Sequence, residues 1–431
     1  MTGRQLVTRR FFLVAVLVLT ISTAEVHAAD SLPIIVKLTQ ASQLTPVLNR
    51  FAGVLVDSIP GSDIYLINVP DSWLIRTTLG LPTYLLQLIG IDWLEINLGV
   101  AQPDLGQLGI FERTGTAGAD WYKNQPAMQL IKANQAQAYA TGFGVVVADI
   151  NSKVDVGHPA LIGHLTGGYD FVGTRPEGST ALNQSDAGFL DQSDAGFLDQ
   201  SDAGFLDDSG VTILNQSDAG FLDHGPAYSH GTLCAGIIAV MAPNAGIMPL
   251  RAFDDQGRAD LFILAKAIRH AVTNNAQVIN MSFGALGQSK ALKSSIDYAK
   301  SKGVILVASA GNNNSSTPQY PAAYSGVLTT AATKLDDVKA SFSNYGGYVA
   351  VSAPGAKIIS AYPGGYYAMV SGTSFSAPEV AATAALIRSI RIWGVSSSIT
   401  STSVDIDTKN PGYQNKLGSG RIDVLRAVQP N

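Results

Sequence analysis

Three short motifs, each rich in small residues, hold the side chains that could do chemistry. In one of them, Ser374 follows Gly372 and Thr373 and precedes an apolar run at 380–387. This pattern predicts a tight turn that enters a buried helix, with Ser374 in the first turn, beside unpaired backbone N–H groups and the positive end of the helix dipole. A hydroxyl in that place suits a nucleophile and the oxyanion it generates. Taken alone, the motif is more typical of an ordinary helix cap.

The other two motifs supply groups that such a nucleophile needs. His230 begins the apolar sequence His-Gly-Thr-Leu-Cys-Ala-Gly, which predicts a helix N-terminus and a base that could take the hydroxyl proton. Asn312 follows the apolar run at 304–308 in the sequence Ala-Gly-Asn, so its amide is predicted just past the carboxyl end of a buried strand. An amide there can donate a hydrogen bond to an oxyanion. Considered separately, the two residues also fit a structural histidine and a polar turn.

The elements that would position these residues alternate between strands and helices. Their predicted positions are strands at 144–148, 245–250, 276–281, 304–308 and 327–332, and helices at 260–274 and 290–302. Buried strands separated by helices are typical of a parallel sheet covered on both faces, and such sheets bind ligands at the carboxyl ends of their strands. We therefore predict a three-layer α/β domain with a mostly parallel central sheet at 121–431.

Residues 30–112 are predicted to form a smaller unit. Its predicted elements are strands at 32–38, 53–56, 64–69 and 91–96, a helical stretch that ends at residue 51, and a second helix at about 72–89. The order β-α-β-β-α-β is typical of a ferredoxin-like α+β fold. A polar, glycine-rich stretch follows, in which we place a linker at 113–120. The unit is either an ordinary N-terminal domain or a propeptide that assists folding and inhibits the mature protein.

Residues 1–29 have the features of an export signal. Arg4, Arg9 and Arg10 precede an apolar run at 11–21, and Val-His-Ala at 26–28 offers a cleavage site. The run is too short to span a membrane, and no later segment is long and apolar enough. The paired arginines also resemble a twin-arginine signal, so both export routes stay open. We expect a secreted or periplasmic protein with no membrane span in its mature form.

The composition narrows the class of protein. Of the 431 residues, 14% are charged and 46% are apolar, which fits a secreted, loop-rich α/β enzyme. The formal net charge of −5 argues against a nucleic-acid partner. Cys234 is the only cysteine, so an internal disulfide is excluded.

An octapeptide repeat interrupts the larger domain at 184–223. The sequence Gln-Ser-Asp-Ala-Gly-Phe-Leu-Asp fills four of five octads, and the copy at 208–215 is degraded. Such near-identity indicates a recently duplicated surface insert. The alternatives are a loosely ordered loop, a short β structure with Phe and Leu on opposite faces, and a calcium site made from the repeated carboxylates. The spacing of Asp and Gly does not match a calcium loop, which makes the calcium site the least favoured of the three.

Together, and in this chain order, the motifs resemble those of the subtilisin-like serine peptidases, the subtilase family. Gly-Thr-Ser-Phe-Ser-Ala-Pro around Ser374 resembles the family's serine motif, and the sequence that begins at His230 resembles its histidine motif. Ala-Gly-Asn at Asn312 resembles the oxyanion motif. Cys234 matches the buried cysteine of proteinase K-like members, and residues 418–423 resemble the closing segment of the family. The resemblance covers about 121–431.

The resemblance implies a serine endopeptidase with a subtilisin-like fold. It implies that Ser374 is the nucleophile, that His230 is the general base and then the acid, and that Asn312 donates to the oxyanion. The residues it assigns to substrate binding are Ser282, Phe283 and Gly284. It also implies a polypeptide substrate, a monomer, and a propeptide at 30–112 that acts as an intramolecular inhibitor. No cofactor is required, and structural calcium is compatible with the family.

One position departs from the family pattern. The family's first motif is an apolar strand that ends in Asp, followed by Thr or Ser and then Gly. Here the sequences on both sides align without a gap and put Asn151 at the Asp position, with Ser152 and Lys153 after it. The group that should orient His230 is therefore a neutral amide, which can present its N–H to the imidazole and hold the wrong tautomer. Replacing the acid by Asn in a serine-protease triad lowers turnover by about 10⁴.

Other carboxylates are alternatives to Asn151 as the group that orients His230. Asp149 lies two residues earlier on the same face of the strand, where an unpaired charge would be costly, so it needs a partner. Making it the triad acid requires two inserted residues after it. Asp170 and Asp223 are further candidates. Two hypotheses follow: an endopeptidase in which Asn151 or Asp149 orients His230, and a pseudopeptidase that binds extended peptides or acts as an interaction protein.

Overall fold

The computed structural model describes residues 31–101, 109–113, 120–174, 211–214 and 228–429. The predicted export signal lies outside the described residues, and so do four of the five octads. Among the described residues, no helix is long and apolar enough to cross a membrane.

The N-terminal unit is a four-stranded antiparallel sheet with helices packed on one face. Its elements are β1 Ser31–Leu38, α1 Leu44–Phe51, β2 Val54–Ile59, β3 Ile64–Pro70, α2 Trp73–Leu79, α3 Thr83–Gln87 and β4 Ile91–Ile96. The strand order is β2-β3-β1-β4, as a β-α-β-β-α-β unit requires. The single helix predicted at 72–89 is wrong, because the chain forms two short helices there. Gly80 ends the first and Pro82, which cannot donate a backbone hydrogen bond, precedes the second.

The rest of the chain alternates between strands and helices, as predicted. Its elements are β5 Gly99–Ala101, β6 Gly109–Arg113, α4 Asp120–Lys123, α5 Pro126–Leu130, α6 Ala133–Ala136, β7 Val146–Asn151, β8 Tyr169–Asp170, β9 Val211–Leu214, α7 His230–Met241, β10 Gly246–Arg251, β11 Arg258–Asp260, α8 Leu261–Thr273, β12 Val278–Met281, α9 Lys290–Ser301, β13 Ile305–Ser309, β14 Val327–Thr333, β15 Val351–Pro354, β16 Ile358–Tyr362, β17 Tyr366–Val370, α10 Thr373–Ile390, α11 Val395–Thr402 and α12 Val424–Val428.

The central sheet has seven strands in the order β15-β14-β13-β12-β7-β10-β8, and every pair is parallel. One hydrophobic core joins one face of the sheet to α7 and α10, and a second core joins the other face to α8 and α9. This confirms the predicted three-layer α/β architecture. Strand β7 lies between β12 and β10 in the interior of the sheet.

Alternation along β7 decides which of its side chains can reach the candidate site. Val147 packs in the core that contains α7 and α10, whereas Ala148 and Ile150 pack in the core that contains α8 and α9. Successive side chains of a strand point to opposite faces, so Asp149 and Asn151 face the same layer as Val147. That layer carries His230 and Ser374.

Two strands near the predicted linker pair with the larger domain. Strand β5 is antiparallel to β11, and β6 joins β17 in a four-stranded sheet of order β16-β17-β6-β9. Strand β9 falls in the degraded fourth octad and pairs with β6. The domain boundary placed at 112 stays a prediction, and β6 crosses it.

Candidate active site

Asn151 is the last residue of the central strand β7 and is fully buried. Its side-chain oxygen Oδ1 lies 2.7 Å from Nδ1 of His230. Its nitrogen Nδ2 lies 3.3 and 3.2 Å from the two carboxylate oxygens of Asp149. A carboxylate accepts hydrogen bonds, so the amide nitrogen faces Asp149 and the amide oxygen faces the imidazole. The backbone N–H of Ser152 also donates to Oδ1, at 2.9 Å.

This amide orientation fixes the tautomer of His230. Because Asn151 Oδ1 can only accept, His230 Nδ1 must donate, and the neutral imidazole then carries its lone pair on Nε2. The expectation that the amide presents its N–H to the imidazole is therefore wrong, and the reason is the carboxylate of Asp149 behind it. The tautomer is the one that a general base for a serine hydroxyl requires.

His230 is the first residue of α7, as predicted, and Gly231 lets the helix begin against the end of β7. A Cβ atom at Gly231 would lie 2.5 Å from the carbonyl oxygen of Ser152. The backbone N–H of Gly231 donates to Oγ of Ser152 at 3.0 Å, which joins the helix start to the strand end. Burial lowers the pKa of His230 from 6.5 to about 4, so the ring is neutral at physiological pH.

Asp149 is fully buried and lies behind Asn151. Its Oδ1 also accepts a 2.8 Å hydrogen bond from Nδ2 of Asn280 on the neighbouring strand β12. Burial raises the pKa of Asp149 to about 7, and the hydrogen bonds from Asn280 and Asn151 oppose this rise. Sequence reasoning missed Asn280, although a polar residue within the apolar run of a predicted buried strand was a signal for it.

Ser374 is the second residue of α10 and is buried, as its motif predicts. Its Oγ lies 3.5 Å from the carbonyl oxygen of Ser282. The carbonyl oxygen of Ser374 accepts a 2.8 Å hydrogen bond from Oγ of Ser282 and a longer one, 3.5 Å, from Sγ of Cys234. The Cys234 sulfur is also 3.7 Å from His230 Nδ1, so α7, α10 and residue 282 are held together at this point.

Asn312 follows the end of β13 and contacts the start of α10. Its Oδ1 accepts hydrogen bonds from the backbone N–H and the hydroxyl of Thr373, at 2.9 and 2.8 Å. Oγ1 of Thr373 in turn accepts from the backbone N–H of Gly311 at 3.1 Å. With its oxygen held in this way, the amide directs Nδ2 toward Gly372, where a Cβ atom would lie 3.4 Å away. Thr373, which precedes Ser374, thus orients the predicted oxyanion donor.

The predicted substrate-binding segment consists of Ser282, Phe283 and Gly284. Phe283 is fully buried, and its ring packs against Phe253 at a centroid distance of 5.4 Å, so only its backbone is available to a substrate. A Cβ atom at Gly284 would lie 2.7 Å from Oε1 of Gln319. Gln319 therefore lies directly against this segment, and no motif in the sequence indicated it.

The remaining candidate acids lie elsewhere. Asp170 binds Arg251 through Oδ2 at 2.9 Å and accepts two backbone hydrogen bonds from Val172 and Gly173. Asp223 lies outside the described residues. In the part of the chain that the structure describes, no group of three or more His, Cys, Asp or Glu side chains could hold a metal ion.

Comparisons with known proteins agree with the motifs. The model of the subtilase family matches residues 142–420. Thermitase from Thermoactinomyces vulgaris is 32% identical over 312 residues, which cover 70% of this chain and 94% of thermitase. A thermophilic serine proteinase from Bacillus sp. (strain AK1) is 44% identical over 171 residues, 37% of this chain and 43% of that protein.

A solved structure is also similar in fold. Fervidolysin from Fervidobacterium pennivorans, described as a keratinolytic enzyme related to subtilisin, superposes with a TM-score of 0.65 at 23% sequence identity. The match covers 96% of this chain, which spans only 62% of the fervidolysin chain. At this identity the likeness concerns the fold alone.

Proposed function

Because this chain belongs to the subtilase family of serine peptidases, we propose that it is a secreted endopeptidase that cleaves polypeptides through an acyl-enzyme on Ser374. The observation that carries the proposal is the 2.7 Å contact between Asn151 Oδ1 and His230 Nδ1. It supplies the neutral, correctly protonated imidazole that a serine nucleophile needs, even though the usual acid is absent.

The proposed reaction follows from these positions. Oγ of Ser374 attacks the carbonyl carbon of the scissile peptide bond while Nε2 of His230 takes the hydroxyl proton. The resulting oxyanion is stabilised by Nδ2 of Asn312 and the backbone N–H of Ser374 at the N-terminus of α10. The C–N bond then breaks and His230 returns the proton to the leaving amine. Water, activated by the same imidazole, hydrolyses the acyl-enzyme and restores Ser374.

The substrate is proposed to lie along the backbone of Ser282, Phe283 and Gly284 as an extended strand. This segment continues β12, whose carboxyl end meets that of β7 at the same edge of the sheet. An extended polypeptide can add to such a backbone edge through main-chain hydrogen bonds.

The N-terminal unit is proposed to be a propeptide that inhibits the peptidase domain. Four residues on its sheet share a hydrophobic core with α8 and α9: Ile35, Ile59, Ile64 and Leu66. The carboxylate of Glu95 accepts hydrogen bonds from Ser289 Oγ, Lys290 N and Ala291 N, at 2.8, 2.7 and 2.9 Å, at the N-terminus of α9. These contacts support a docked inhibitor that is released after cleavage. The mature enzyme is proposed to act as a monomer outside the cytoplasm, without a required cofactor.

A pseudopeptidase that binds extended peptides is the second candidate. It is favoured by one observation: the group that contacts His230 is a neutral amide, which cannot balance the charge of an imidazolium as a carboxylate does. The two candidates differ in whether the chain turns over its substrate.

Self-processing separates the two candidates. The full-length chain is produced as wild type and as Ser374→Ala, His230→Ala and Asn151→Asp variants, and cleavage between the N-terminal unit and the peptidase domain is followed by mass spectrometry. An endopeptidase matures itself in the wild type, matures faster in Asn151→Asp, and stays intact in Ser374→Ala and His230→Ala. An intact wild type that still binds an unfolded protein such as reduced casein would favour the pseudopeptidase.

A further inference from the structure

Asp149 is a fully buried carboxylate at the proposed active site to which the reaction above gives no role. Both of its oxygens lie within 3.3 Å of Nδ2 of Asn151, whose Oδ1 lies 2.7 Å from Nδ1 of His230. The three groups form one continuous chain of hydrogen bonds in the order carboxylate, amide, imidazole. All donors in the chain point the same way, toward Asp149.

We propose that Asp149 is the positioning acid of this site and acts on His230 through the amide of Asn151. The inference rests on the proposed function and deepens it. No proton leaves Nδ1 of His230. The negative charge of Asp149 holds the amide nitrogen, turns the amide oxygen toward the imidazole, and makes that oxygen a stronger acceptor when the ring becomes an imidazolium.

Two physical effects support this role. Hydrogen bonds in a chain polarise one another, so an anion at one end strengthens the acceptor at the other end. The site is also buried, and a charge acts more strongly there than in water. Without Asp149, the backbone N–H of Ser152, which donates to Asn151 Oδ1, would still oppose a half-turn of the amide that offers Nδ2 to His230. Asp149 makes that rotated state costly, because it would place the amide oxygen against a carboxylate.

The side chains around Asp149 show which cation its negative charge can stabilise. Strand β12 and the segment after it contribute the neutral side chains of Asn280 and Ser282, of which Asn280 binds Asp149 directly. Helix α7 contributes two titratable groups, His230 and Cys234, and burial with the nearby Asp149 charge raises the pKa of the Cys234 thiol well above its ordinary value.

Strand β10 contributes the nearest arginine on a neighbouring strand. Arg251 is next to Asn151 in the sheet register, but its guanidinium binds Asp170 and Asp255 at 2.9 and 3.0 Å. Among the described side chains that bond to Asp149 or Asn151, His230 is therefore the one that becomes a cation during the reaction. Burying a carboxylate in this place is costly, and the stabilisation of the His230 imidazolium explains why Asp149 lies there.

A charge-swap cycle tests the proposal. The mature peptidase is compared as wild type, Asp149→Asn, Asn151→Asp and the double variant Asp149→Asn/Asn151→Asp, which exchanges the two side chains. The readout is the second-order rate of Ser374 labelling by a fluorophosphonate probe between pH 5 and 10. Asp297→Asn, which removes an exposed acid on α9 that pairs with Lys293, is the matched control, and circular dichroism verifies that each variant is folded.

The proposal predicts a loss in Asp149→Asn that depends on pH. Above pH 8 the labelling rate should fall by roughly 10- to 100-fold, the size expected for one charge acting across an intervening amide. Below pH 6, where Asp149 is protonated in the wild type, the two proteins should react at similar rates. The swapped double variant should exceed the wild type by roughly 100-fold, because the carboxylate then contacts His230 directly. In the Asn151→Asp background, Asp149→Asn should not lower the rate.

Other outcomes overturn the proposal in distinguishable ways. If Asp149→Asn is folded and labels like the wild type at every pH, Asp149 has no role in positioning and only the proposed function survives. A loss that is equal at all pH values, and equal in the Asn151→Asp background, would mean a structural role. If no protein in the cycle labels at Ser374, the proposed function itself fails.

Discussion

We propose that Asn151 takes the position of the family's acid, and its partners explain how the site can still hold the histidine tautomer that a general base requires. The amide has one accepting and one donating end, and Asp149 takes the donating end. The sequence places Asn151 and Asp149 on one face of β7, but it does not show which amide atom faces His230. That depends on the separation of the carboxylate and the imidazole in space.

The buried charge of Asp149 predicts a trade between stability and activity. Burial raises the pKa of Asp149 from 3.8 to about 7. The stability that the raised pKa gives to the folded protein is therefore complete below pH 3.8 and is lost as the pH rises through 7. Ionisation of the buried carboxyl lowers the free energy of unfolding by on the order of 4 kcal/mol in total, and by on the order of 2–3 kcal/mol between pH 5 and 9. Asp149→Asn should therefore gain stability relative to its parent as the pH is raised.

Urea unfolding at pH 5 and pH 9 measures this effect. Both proteins carry Ser374→Ala so that self-digestion does not interfere, and the difference in the free energy of unfolding is compared at the two pH values. The same difference at both pH values would show that Asp149 does not ionise between them with a raised pKa.

Thr373 predicts a second effect at the residue scale. Thr373→Val keeps the shape of the side chain and removes the hydroxyl that donates to Asn312 at 2.8 Å. We expect kcat to fall about tenfold with KM nearly unchanged, because the lost hydrogen bonds, from Thr373 to Asn312 and from Gly311 N–H to Thr373, hold the proposed oxyanion donor. Asn312→Leu should lower kcat by about 10²–10³-fold. In a peptide hydrolysis assay, the double variant should be no worse than Asn312→Leu alone. Losses that multiply would show that Thr373 acts independently of Asn312.

At the scale of elements, the site is assembled from the ends of strands and the beginnings of helices. Hydrophobic periodicity predicted five of the seven strands of the central sheet and placed His230 and Ser374 in the first turns of α7 and α10, as the structure confirms. It did not predict β8 and β15, the two edge strands of this sheet, or β5 and β6, because strands of two to five residues have little periodicity of their own. The helix predicted at 72–89 failed where Gly80 and Pro82 interrupt a continuous apolar pattern.

The contact of Glu95 with the N-terminus of α9 predicts how the N-terminal unit is held. A carboxylate that accepts two backbone N–H groups at a helix N-terminus is favoured by hydrogen bonding and by the helix dipole. Glu95→Gln in a separately produced 30–112 fragment should raise its inhibition constant against the mature peptidase by about tenfold. Asp92→Asn, which affects a partly exposed ion pair with Lys37 inside the unit, is the control. Equal inhibition by both variants would argue against docking through Glu95.

At the scale of the whole molecule, the sequence predicted the three-layer architecture because alternating buried strands and helices can pack in few other arrangements. It could not predict how Asn280, Thr373 and Gln319 converge on the motifs. Asn280 and Gln319 lie outside the motifs, and Thr373, within the serine motif, contacts Asn312 across 61 residues of chain. These contacts depend on strand order and register rather than on local pattern.

The octad repeats predict that the fold tolerates their removal. Deletion of residues 184–223 removes an insert whose only described part is β9, an edge strand that pairs with β6. We expect the shortened full-length protein to fold and to keep its self-processing, with a thermal midpoint within a few degrees of that of the parent. Loss of the cooperative thermal transition would show that the repeats belong to the folding unit.

The central claim is that Ser374 is a working nucleophile although Asn151 replaces the acid. The most direct measurement is the intact mass of the mature protein after incubation with a fluorophosphonate at pH 8.5, followed by peptide mapping of the adduct. We predict one adduct per molecule, on Ser374, which is absent from Ser374→Ala and strongly slowed in His230→Ala. A folded wild-type protein that stays unmodified under conditions in which Asn151→Asp is labelled would contradict the claim.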